Sequence, residues 1–254
     1  MRIFLLLLLL FGPISTLHGQ TLRIAMEGQF PPFESLDAQG QLQGFNVDIA
    51  QALCQQMRAE CQLQRFAWDD LIPALQEQRT DLILASMSIT PERLEKVDFS
   101  AKYAQTPAFF FARKGQFEQA FITPSRVAGK RIGVQQGTTY DRYLSAKYAE
   151  KAQLIRFASA AQTYTARQQG HIDLLLDDSV AGYFGFLASR KEQDFERVGS
   201  RVVAPGFFGQ GQGIALRKGQ PELKQRLDDA ILAIRKNGEY QRIEKRYFNF
   251  FHVY

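Results

Sequence analysis

Histidine and cysteine are scarce in this sequence. The three histidines, His18, His171 and His252, are far apart in the chain, and there are only two cysteines. Their spacing matches no metal-binding cluster, and no Ser/His/Asp arrangement for nucleophilic catalysis is visible. No glycine-rich phosphate motif follows a predicted strand. The sequence therefore predicts no metal, no cofactor and no enzyme of these classes, and leaves open only catalysis by a pair of carboxylates.

Long apolar runs are absent except at the N-terminus. Residues 3–11 are uniformly apolar, follow Arg2 and precede a Gly-Pro breaker. A helix that spans a bilayer needs about 20 apolar residues, so this run is too short for an anchor and is typical of a secretory signal peptide. We expect residues 1–19 to be removed by cleavage near Gly19 and the mature protein to be exported in soluble form.

The two cysteines, Cys54 and Cys61, lie close together in the chain. Exported proteins meet an oxidising compartment, where neighbouring cysteines form disulfides. We therefore expect a Cys54–Cys61 disulfide that acts as a structural staple. Two buried, reduced thiols are the alternative.

Charge and composition are ordinary for a globular protein. The chain has 31 Lys+Arg against 26 Asp+Glu, and 45% of its residues are hydrophobic. The basic residues are spread along the sequence and form no cluster. A nucleic-acid partner is therefore not favoured.

Strands and helices are predicted to alternate along the chain. Residues 22–26, 61–66 and 81–85 have the apolar or alternating patterns of strands. Residues 46–57 repeat apolar side chains at every third or fourth position, as a helix does, and Asn46 is expected to cap its start. Residues 68–78 are also predicted to be helical. This order is typical of a parallel α/β sheet.

The same unit of helix, turn and buried strand occurs twice, at 76–84 and at 167–176. We therefore predict two similar α/β lobes rather than one long sheet. The chain would cross between them first within 99–111 and again within 204–211, where Pro205 and several glycines permit unusual backbone angles. The predicted parts are the signal peptide at 1–19, a discontinuous first lobe at 20–106 plus 208–254, and a second lobe at 107–207.

The segment that follows the third predicted strand combines two hydroxyls with a cation. Ser86 and Ser88 are two positions apart, so an extended chain would place both on one side. Thr90 and Pro91 mark a helix start, which puts Arg93 where a positive charge opposes the helix dipole. An arginine beside hydroxyls and free N–H groups is typical of an anion site. Our hypothesis is that the anion is the carboxylate of a small ligand.

Other polar residues follow predicted strands, at the sheet edge where α/β proteins bind ligands. Glu27 ends the first strand, Thr138 and Thr139 begin a helix after a strand, and Asp178 ends another strand. A guanidinium at Arg93 and a carboxylate at Asp178 match the two charges of an amino acid. Each residue alone has a structural explanation: an ion pair for Arg93, and helix caps for Thr138 and Asp178. Their co-occurrence at strand ends favours binding.

Aromatic residues occur in loops of the same kind, namely Phe30, Trp68 and Tyr140. Flat aromatic faces can enclose a ligand side chain, including a cationic one. For Tyr140 we favour simple packing at a lobe edge. Glu27 is the candidate that selects a ligand with a distal ammonium or guanidinium. The alternative is that Glu27 is a solvated loop residue without a binding role.

Several motifs occur along the chain: Pro32-Phe33-Glu34, Gly44-Phe45, Leu53-Cys54 with Cys61, Leu71-Ile72-Pro73, Ser88-Ile-Thr-Pro-Glu-Arg93, Gly137-Thr138-Thr139 and Asn237-Gly238 with Tyr240. Taken together, these motifs resemble the periplasmic solute-binding proteins of ABC importers for polar amino acids, particularly the lysine/arginine/ornithine- and histidine-binding group. The likeness covers nearly the whole mature chain. The implied fold is the type II periplasmic binding protein, in which two lobes joined by two hinge strands close around the ligand.

The resemblance implies roles for the residues that meet the ligand backbone. Arg93 would hold the carboxylate together with the Thr139 N–H. Asp178 would hold the α-ammonium together with Ser88. These contacts are common to all amino acids and do not select among them.

The resemblance assigns selectivity to other positions. Glu27 would meet the side-chain cation, between Phe30 and Trp68. The sequence departs from the family at Ala85, where some relatives have a serine that touches the ligand, and at Tyr140, which replaces a smaller polar residue. Both departures affect the prediction of which amino acid binds, but not the prediction that the ligand is an amino acid.

The sequence thus predicts a periplasmic, monomeric receptor that delivers a basic amino acid to a membrane ABC permease. The candidates are arginine, lysine and ornithine, with histidine as a further one. Two alternatives use the same fold: an exported enzyme, such as a dehydratase with Glu27 as general acid, and a sensory domain for a signalling partner.

Overall fold

A computed structural model describes residues 21–117, 121–187, 194–248 and 251–254. The predicted signal peptide at 1–19 lies outside these residues. The strands are β1 (Thr21–Met26), β2 (Ser35–Leu36), β3 (Leu42–Gln43), β4 (Glu60–Arg65), β5 (Leu82–Ile83), β6 (Asp98–Phe99), β7 (Ala108–Arg113), β8 (Arg131–Gln135), β9 (Gln153–Phe157), β10 (Leu174–Asp178), β11 (Phe195–Val202) and β12 (Ala215–Leu216).

The helices lie between these strands and after the last of them. They are α1 (Phe45–Met57), α2 (Leu71–Gln76), α3 (Pro91–Leu94), α4 (Thr139–Tyr148), α5 (Ala160–Gln168), α6 (Ser179–Gly182), α7 (Pro205–Phe208), α8 (Pro221–Lys236) and α9 (Glu239–Tyr247). Short 3₁₀ turns cover Trp68–Asp70 and Pro124–Val127, and a π-helical turn covers Tyr183–Leu187. Within the described ranges, no helix is both long and apolar enough to cross a membrane.

The first sheet has the strand order β4-β1-β5-β12-β6. Strand β1 runs parallel to β4 and β5, whereas β12 runs antiparallel to β5 and β6. Successive residues of β1 enter different apolar clusters, because side chains alternate across a sheet. Ile24 packs in the cluster that contains α1, α8 and α9 residues, and Ala25 packs in the cluster that contains α2 residues. Both faces of this sheet are therefore covered by helices.

The second sheet has the order β11-β7-β10-β8-β9, with β8 parallel to β9 and β10, and β7 antiparallel to β10 and β11. It also has helices on both faces, since Leu174 and Leu176 pack with α4 residues and Leu175 packs with α5 residues. Two separate sheets confirm the prediction of two α/β lobes. The residue boundaries of the lobes stay a prediction.

The two crossings between the sheets run side by side. The Gln212 N–H donates to the Ala104 carbonyl at 2.7 Å, and the Tyr103 N–H donates to the Gln212 carbonyl at 2.9 Å. Nearby, Gly209 has φ +73°, and a Cβ there would lie 2.0 Å from the Ile89 carbonyl oxygen. This position therefore requires glycine, in line with the unusual backbone angles predicted for the second crossing.

Capping signals in the sequence predicted the start of α3 correctly and the start of α1 wrongly. Thr90 caps α3 as predicted, because its hydroxyl accepts from the Arg93 N–H at 3.4 Å. Helix α1 begins at Phe45, after Gly44, so Asn46 lies within the helix instead of capping it. Its amide is used in the tertiary structure, where it donates to Glu34 at 2.9 Å. A buried carboxylate thus competes successfully with the capping role.

The predicted disulfide between Cys54 and Cys61 is confirmed, with an S–S distance of 1.97 Å. It joins α1 to β4 in the first lobe. The bond closes a short loop and restricts the unfolded chain, so it acts as a local staple.

Candidate functional site

A cavity lies between the two sheets, where the carboxyl ends of β1 and β5 face those of β8 and β10. Eight of the nine predicted ligand-binding residues lie on its wall: Glu27, Phe30, Trp68, Ser86, Ser88, Arg93, Thr138 and Thr139. Its other wall residues are Ala85, Gln135, Tyr140, Asp177 and Gln212. The ninth predicted residue, Asp178, is not on the wall.

The two serines reach the cavity by a different geometry from the predicted one. Ser86 has φ +51°, in the left-handed region, so the segment is not extended and the argument from alternation was wrong. Two neighbours fix this turn: the Ser86 N–H donates to the Tyr103 hydroxyl at 3.0 Å, and the Ser86 hydroxyl accepts from Asn46 at 3.1 Å. Tertiary contacts thus decide which way the loop faces.

Arg93 is a half-buried cation without an acidic partner. Its guanidinium donates to the Ser88 carbonyl at 3.0 Å and lies 5.3 Å from the centre of the Trp68 ring. No aspartate or glutamate among the described residues forms a salt bridge with it. Burial, and secondarily the nearby Arg142, lower the pKa of Arg93 to about 10. A desolvated guanidinium of this kind is a strong site for a carboxylate.

The second lobe contributes the start of α4. Thr138 is its cap, since its hydroxyl accepts from the Asp141 N–H at 3.2 Å, and the same hydroxyl donates to the Gln135 carbonyl at 2.8 Å. Thr139 is buried and occupies the first helical position, where the N–H has no acceptor within the helix. This N–H is therefore available to an anion in the cavity, whereas the Thr138 side chain is already used.

Glu27 is a buried carboxyl that links the two lobes. It is 3% exposed, and the Gln135 side chain donates to it at 2.8 Å. Burial and then the neighbouring Glu34 raise the pKa of Glu27 to about 8. In this closed arrangement the group is largely protonated near neutral pH, and a cation beside it would restore its charge.

Asp177 is a wall residue that sequence reasoning missed. It is buried, and its two oxygens accept from the Tyr164 hydroxyl at 2.6 Å and from the Asp178 N–H at 2.7 Å. Burial raises its pKa to about 7. The sequence did show two acidic residues at the end of this strand. Since neighbours on a strand face opposite ways, only one of the pair can face the cavity, and the pattern alone does not say which.

Asp178, the residue that was predicted, is fully buried beside the wall. One of its oxygens accepts from the Val180 and Ala181 N–H groups, at 2.7 and 3.1 Å, and so caps α6. The other oxygen accepts from the Thr106 hydroxyl. Both oxygens already have protein donors, which matches the structural explanation considered for this residue. Its contact with a ligand ammonium stays a prediction.

Aromatic rings form much of the remaining wall. Phe30 stacks on Phe33 with ring centres 5.4 Å apart, and Trp68 faces Arg93 as described above. Tyr140 packs on Phe208 at 5.5 Å, as expected for a lobe edge, but it also borders the cavity. At Ala85 the wall presents a buried methyl group.

Contacts between the lobes surround this cavity. Besides the bond between Gln135 and Glu27, the Gln136 side chain donates to Asp69 at 2.6 Å. Arg142 forms an ion pair with Glu92 across the cleft. The structure therefore represents a closed arrangement of the two lobes.

The cavity shows no arrangement suited to a metal. Throughout the described ranges, no group of three or more histidine, cysteine, aspartate and glutamate side chains is placed to hold an ion. The buried acidic groups instead face a space bordered by aromatic rings.

Known proteins share this fold and this sequence. Residues 22–250 match the family of bacterial extracellular solute-binding proteins, family 3. A Pseudomonas aeruginosa protein named L-arginine-binding protein is 39% identical over 230 residues, which are 90% of this chain and 88% of that protein. The lysine/arginine/ornithine-binding periplasmic protein of Escherichia coli K12 is 33% identical over 232 residues, which are 91% of this chain and 88% of that protein.

A solved structure of a binding protein has the same fold as this chain. The structure of a Salmonella typhimurium periplasmic binding protein with high arginine specificity aligns with a TM-score of 0.82 and 29% identity, over 91% of this chain and 100% of that one. The resemblance stated from the motifs and the predicted two-lobed binding-protein fold are therefore confirmed. This chain belongs to family 3 of the bacterial extracellular solute-binding proteins.

Proposed function

We propose that this protein binds a basic L-amino acid between its lobes and delivers it to an ABC-type permease. The observation that supports this most directly is the charge pattern of one cavity. Arg93 lies on its wall without an acidic partner, and Glu27 and Asp177 lie on the same wall without a salt bridge to any described lysine or arginine. A basic amino acid carries the charges that complement both.

The carboxylate of the ligand would lie between Arg93 and the Thr139 N–H. The guanidinium offers a planar fork that fits a carboxylate, and the first N–H of α4 adds a donor at the positive end of the helix dipole. Each donor comes from a different lobe, so a bound carboxylate holds the lobes together. The α-ammonium would lie near Ser88 and Asp178, as the family resemblance implies.

The side chain of the ligand would point to Glu27 and Asp177. The two carboxyls already accept from the Gln135 amide, the Tyr164 hydroxyl and the Asp178 N–H, but each oxygen has a second lone pair. The acceptor positions that are left suit the five donors of a guanidinium better than the three of an ammonium. Phe30 and Trp68 supply flat faces against which a guanidinium can stack. We therefore place arginine first among the basic amino acids, in agreement with the names of the relatives.

A thermal-shift screen of the common amino acids and ornithine tests this proposal. A ligand at one hundred times its Kd stabilises a protein by about 2.7 kcal/mol, which is about 5–10 °C for a chain of this size. We expect arginine, lysine and ornithine to stabilise the protein, and aspartate and glutamate not to. Stabilisation by acidic amino acids, or by none at all, would contradict the proposal.

The same experiment separates the receptor from the enzyme alternative. A receptor returns its ligand chemically unchanged after incubation, whereas a dehydratase would consume it. The relatives are named as binding proteins, and this supports binding without catalysis. The alternatives are not favoured.

We also propose that the protein acts as a monomer in the periplasm after removal of residues 1–19. Family membership supports an extracytoplasmic location. The mass of the mature protein from its natural host, measured by mass spectrometry, tests the cleavage near Gly19.

The ion pair between Arg142 and Glu92 is expected to favour the closed state without touching the ligand. Exposed ion pairs contribute about 0.2–1 kcal/mol, so Glu92→Gln should weaken arginine binding by about 1.4- to fivefold. The loss should appear mainly as faster dissociation, which stopped-flow fluorescence measures, because the pair forms only when the lobes meet.

A matched control is available on the same segment. Glu95 is exposed and forms no ion pair with any described residue, so Glu95→Gln changes the net charge equally without affecting closure. Equal dissociation rates for the two variants would show that the ion pair does not contribute to closure.

A further inference from the structure

Gln212 occupies a position where both crossings meet the cavity. Its backbone pairs with Ala104 on the first crossing and forms a bridge with Ser88 on the other side. The residue is 6% exposed and borders two spaces, the cavity between the lobes and a larger one of about 480 Å³ beside the crossings. Its backbone is thus held in place by pairing on two sides.

The orientation of the Gln212 amide follows from its neighbours. The Thr106 hydroxyl has one proton, which it donates to Asp178, whose oxygens accept. The Thr106 oxygen must therefore accept from Gln212, and it lies 3.2 Å from the amide nitrogen Nε2. With Nε2 fixed in this way, the amide oxygen Oε1 points away from Thr106.

The Gln212 Oε1 atom is buried and accepts a hydrogen bond from none of the residues that the structure describes. A buried acceptor that lacks a donor is unfavourable, so this atom creates a site for a donor. A ligand carboxylate cannot fill it, because a carboxylate only accepts. An ammonium group can, because it only donates.

We propose that the Gln212 Oε1 accepts a hydrogen bond from the α-ammonium of the bound amino acid. This inference rests on the function proposed above. The position of Gln212 favours the α-ammonium over the side-chain cation. Gln212 forms a backbone bridge with Ser88, and the Ser88 carbonyl accepts a hydrogen bond from the Arg93 guanidinium. Gln212 therefore lies at the end of the site where the ligand carboxylate would bind. The sequence offered no signal for this role, since Gln212 lies in a glycine-rich stretch.

The bond would connect the ligand to both crossings. The chain of hydrogen bonds runs from the α-ammonium to Gln212, then to Thr106 on the first crossing, and then to Asp178 at the start of α6. Asp178 therefore supports the ligand partly through Thr106 and Gln212. A ligand without an α-ammonium would leave Gln212 unsatisfied while keeping the contacts to Arg93.

A pair of ligands and a pair of variants test the proposal. The ligands are L-arginine and desamino-arginine, which lacks only the α-ammonium. A hydrogen bond to a charged group corresponds to about ten- to one-hundredfold in affinity. Calorimetry should show that Gln212→Met loses about this factor for arginine and less than about threefold for desamino-arginine.

Gln64→Met is the matched control. Gln64 also has a buried amide oxygen without a partner among the described residues, but it lies on β4 and not on the cavity wall. This variant should bind arginine as the wild type does. If the wild type and Gln64→Met bind arginine and Gln212→Met binds it equally well, the role of Gln212 is refuted while the proposed function stands. If the wild type binds no basic amino acid, the proposed function fails, and the role of Gln212 fails with it.

Two further measurements test whether Gln212 contacts the α-ammonium itself. Equal losses for both ligands in Gln212→Met would show that the side chain acts on the crossings and not on the ammonium. In the wild type, the side-chain amide signal of Gln212 in NMR spectra should shift with arginine and shift less with desamino-arginine. This second measurement needs no variant, and identical shifts would overturn the proposal even if Gln212→Met did not fold.

Discussion

Replacing Arg93 with alanine is expected to abolish measurable binding of every amino acid. The ligand carboxylate would enter a desolvated cleft and lose the guanidinium that compensates its charge. Truncating one partner of a buried, hydrogen-bonded charge pair costs about 2–5 kcal/mol, so we expect the affinity to fall by about thirtyfold to several thousandfold. Isothermal titration calorimetry against arginine, lysine and glutamine measures it.

The three ligands should be affected alike, since Arg93 meets the group they share. Arg93→Lys should recover only part of the affinity, because an ammonium keeps the charge but lacks the planar fork. Arg79→Ala is the matched control: Arg79 also lies over an aromatic ring, that of Phe66 at 5.2 Å, but is exposed and away from the cavity. An affinity in Arg93→Ala within about threefold of that of the wild type would remove Arg93 from the site.

Loss of folding is not expected to explain the result. Burial disfavours the charge of Arg93 and lowers its pKa, and alanine removes that cost together with the contacts to Ser88 and Trp68. Because these changes oppose each other, the thermal midpoint of the ligand-free variant should stay close to that of the wild type. This readout separates an effect on the site from an effect on stability.

Much of the fold could be predicted from the sequence because its signals are local. The first strand, predicted at 22–26, and the cap at Thr90 depend on neighbours in the chain, and both were predicted correctly. The strand at 81–85 shortens to β5, because Ser86 turns to meet Tyr103. That contact joins residues far apart in sequence, so no local pattern reports it.

The residues of the candidate site also differ in whether local sequence signals or tertiary contacts determine them. Strand ends identify Glu27 and Arg93, since the polar residue after a buried strand is visible in the sequence. Which of Asp177 and Asp178 faces the cavity depends on the phase of β10 in its sheet. The orientation of the Gln212 amide depends on Thr106, which is distant in the chain. Sequence patterns reveal candidates, and the tertiary structure decides how each is used.

The affinity for arginine is expected to rise with pH between about 6 and 8. In the ligand-free, closed arrangement the pKa of Glu27 is raised to about 8 and that of Asp177 to about 7, so a proton is bound near neutral pH. A guanidinium favours the charged carboxylates and lowers both pKa values, and binding therefore releases protons. Below pH 8 the affinity should fall about tenfold per pH unit for each proton released.

Stability of the ligand-free protein should show the opposite trend. An unfolded glutamate has its ordinary pKa of 4.5, whereas that of folded Glu27 is about 8. Between these values the folded state binds more protons, so the free energy of unfolding should decrease as pH rises. Saturating arginine should weaken this decrease, because the bound cation favours the deprotonated carboxyl.

Glu27→Gln isolates the group responsible. The amide keeps an oxygen that can accept from Gln135 but cannot ionise, so the arginine affinity should become much less dependent on pH. At pH 8 the variant should bind arginine about ten- to one-hundredfold more weakly, as expected when a hydrogen bond to a charged group is lost. Glutamine carries no side-chain charge, so its affinity should change little with pH or with the substitution.

Equal losses for arginine and glutamine would show that the cavity does not select for side-chain charge. An unchanged pH dependence in Glu27→Gln would assign the released proton to Asp177 or Glu34 instead.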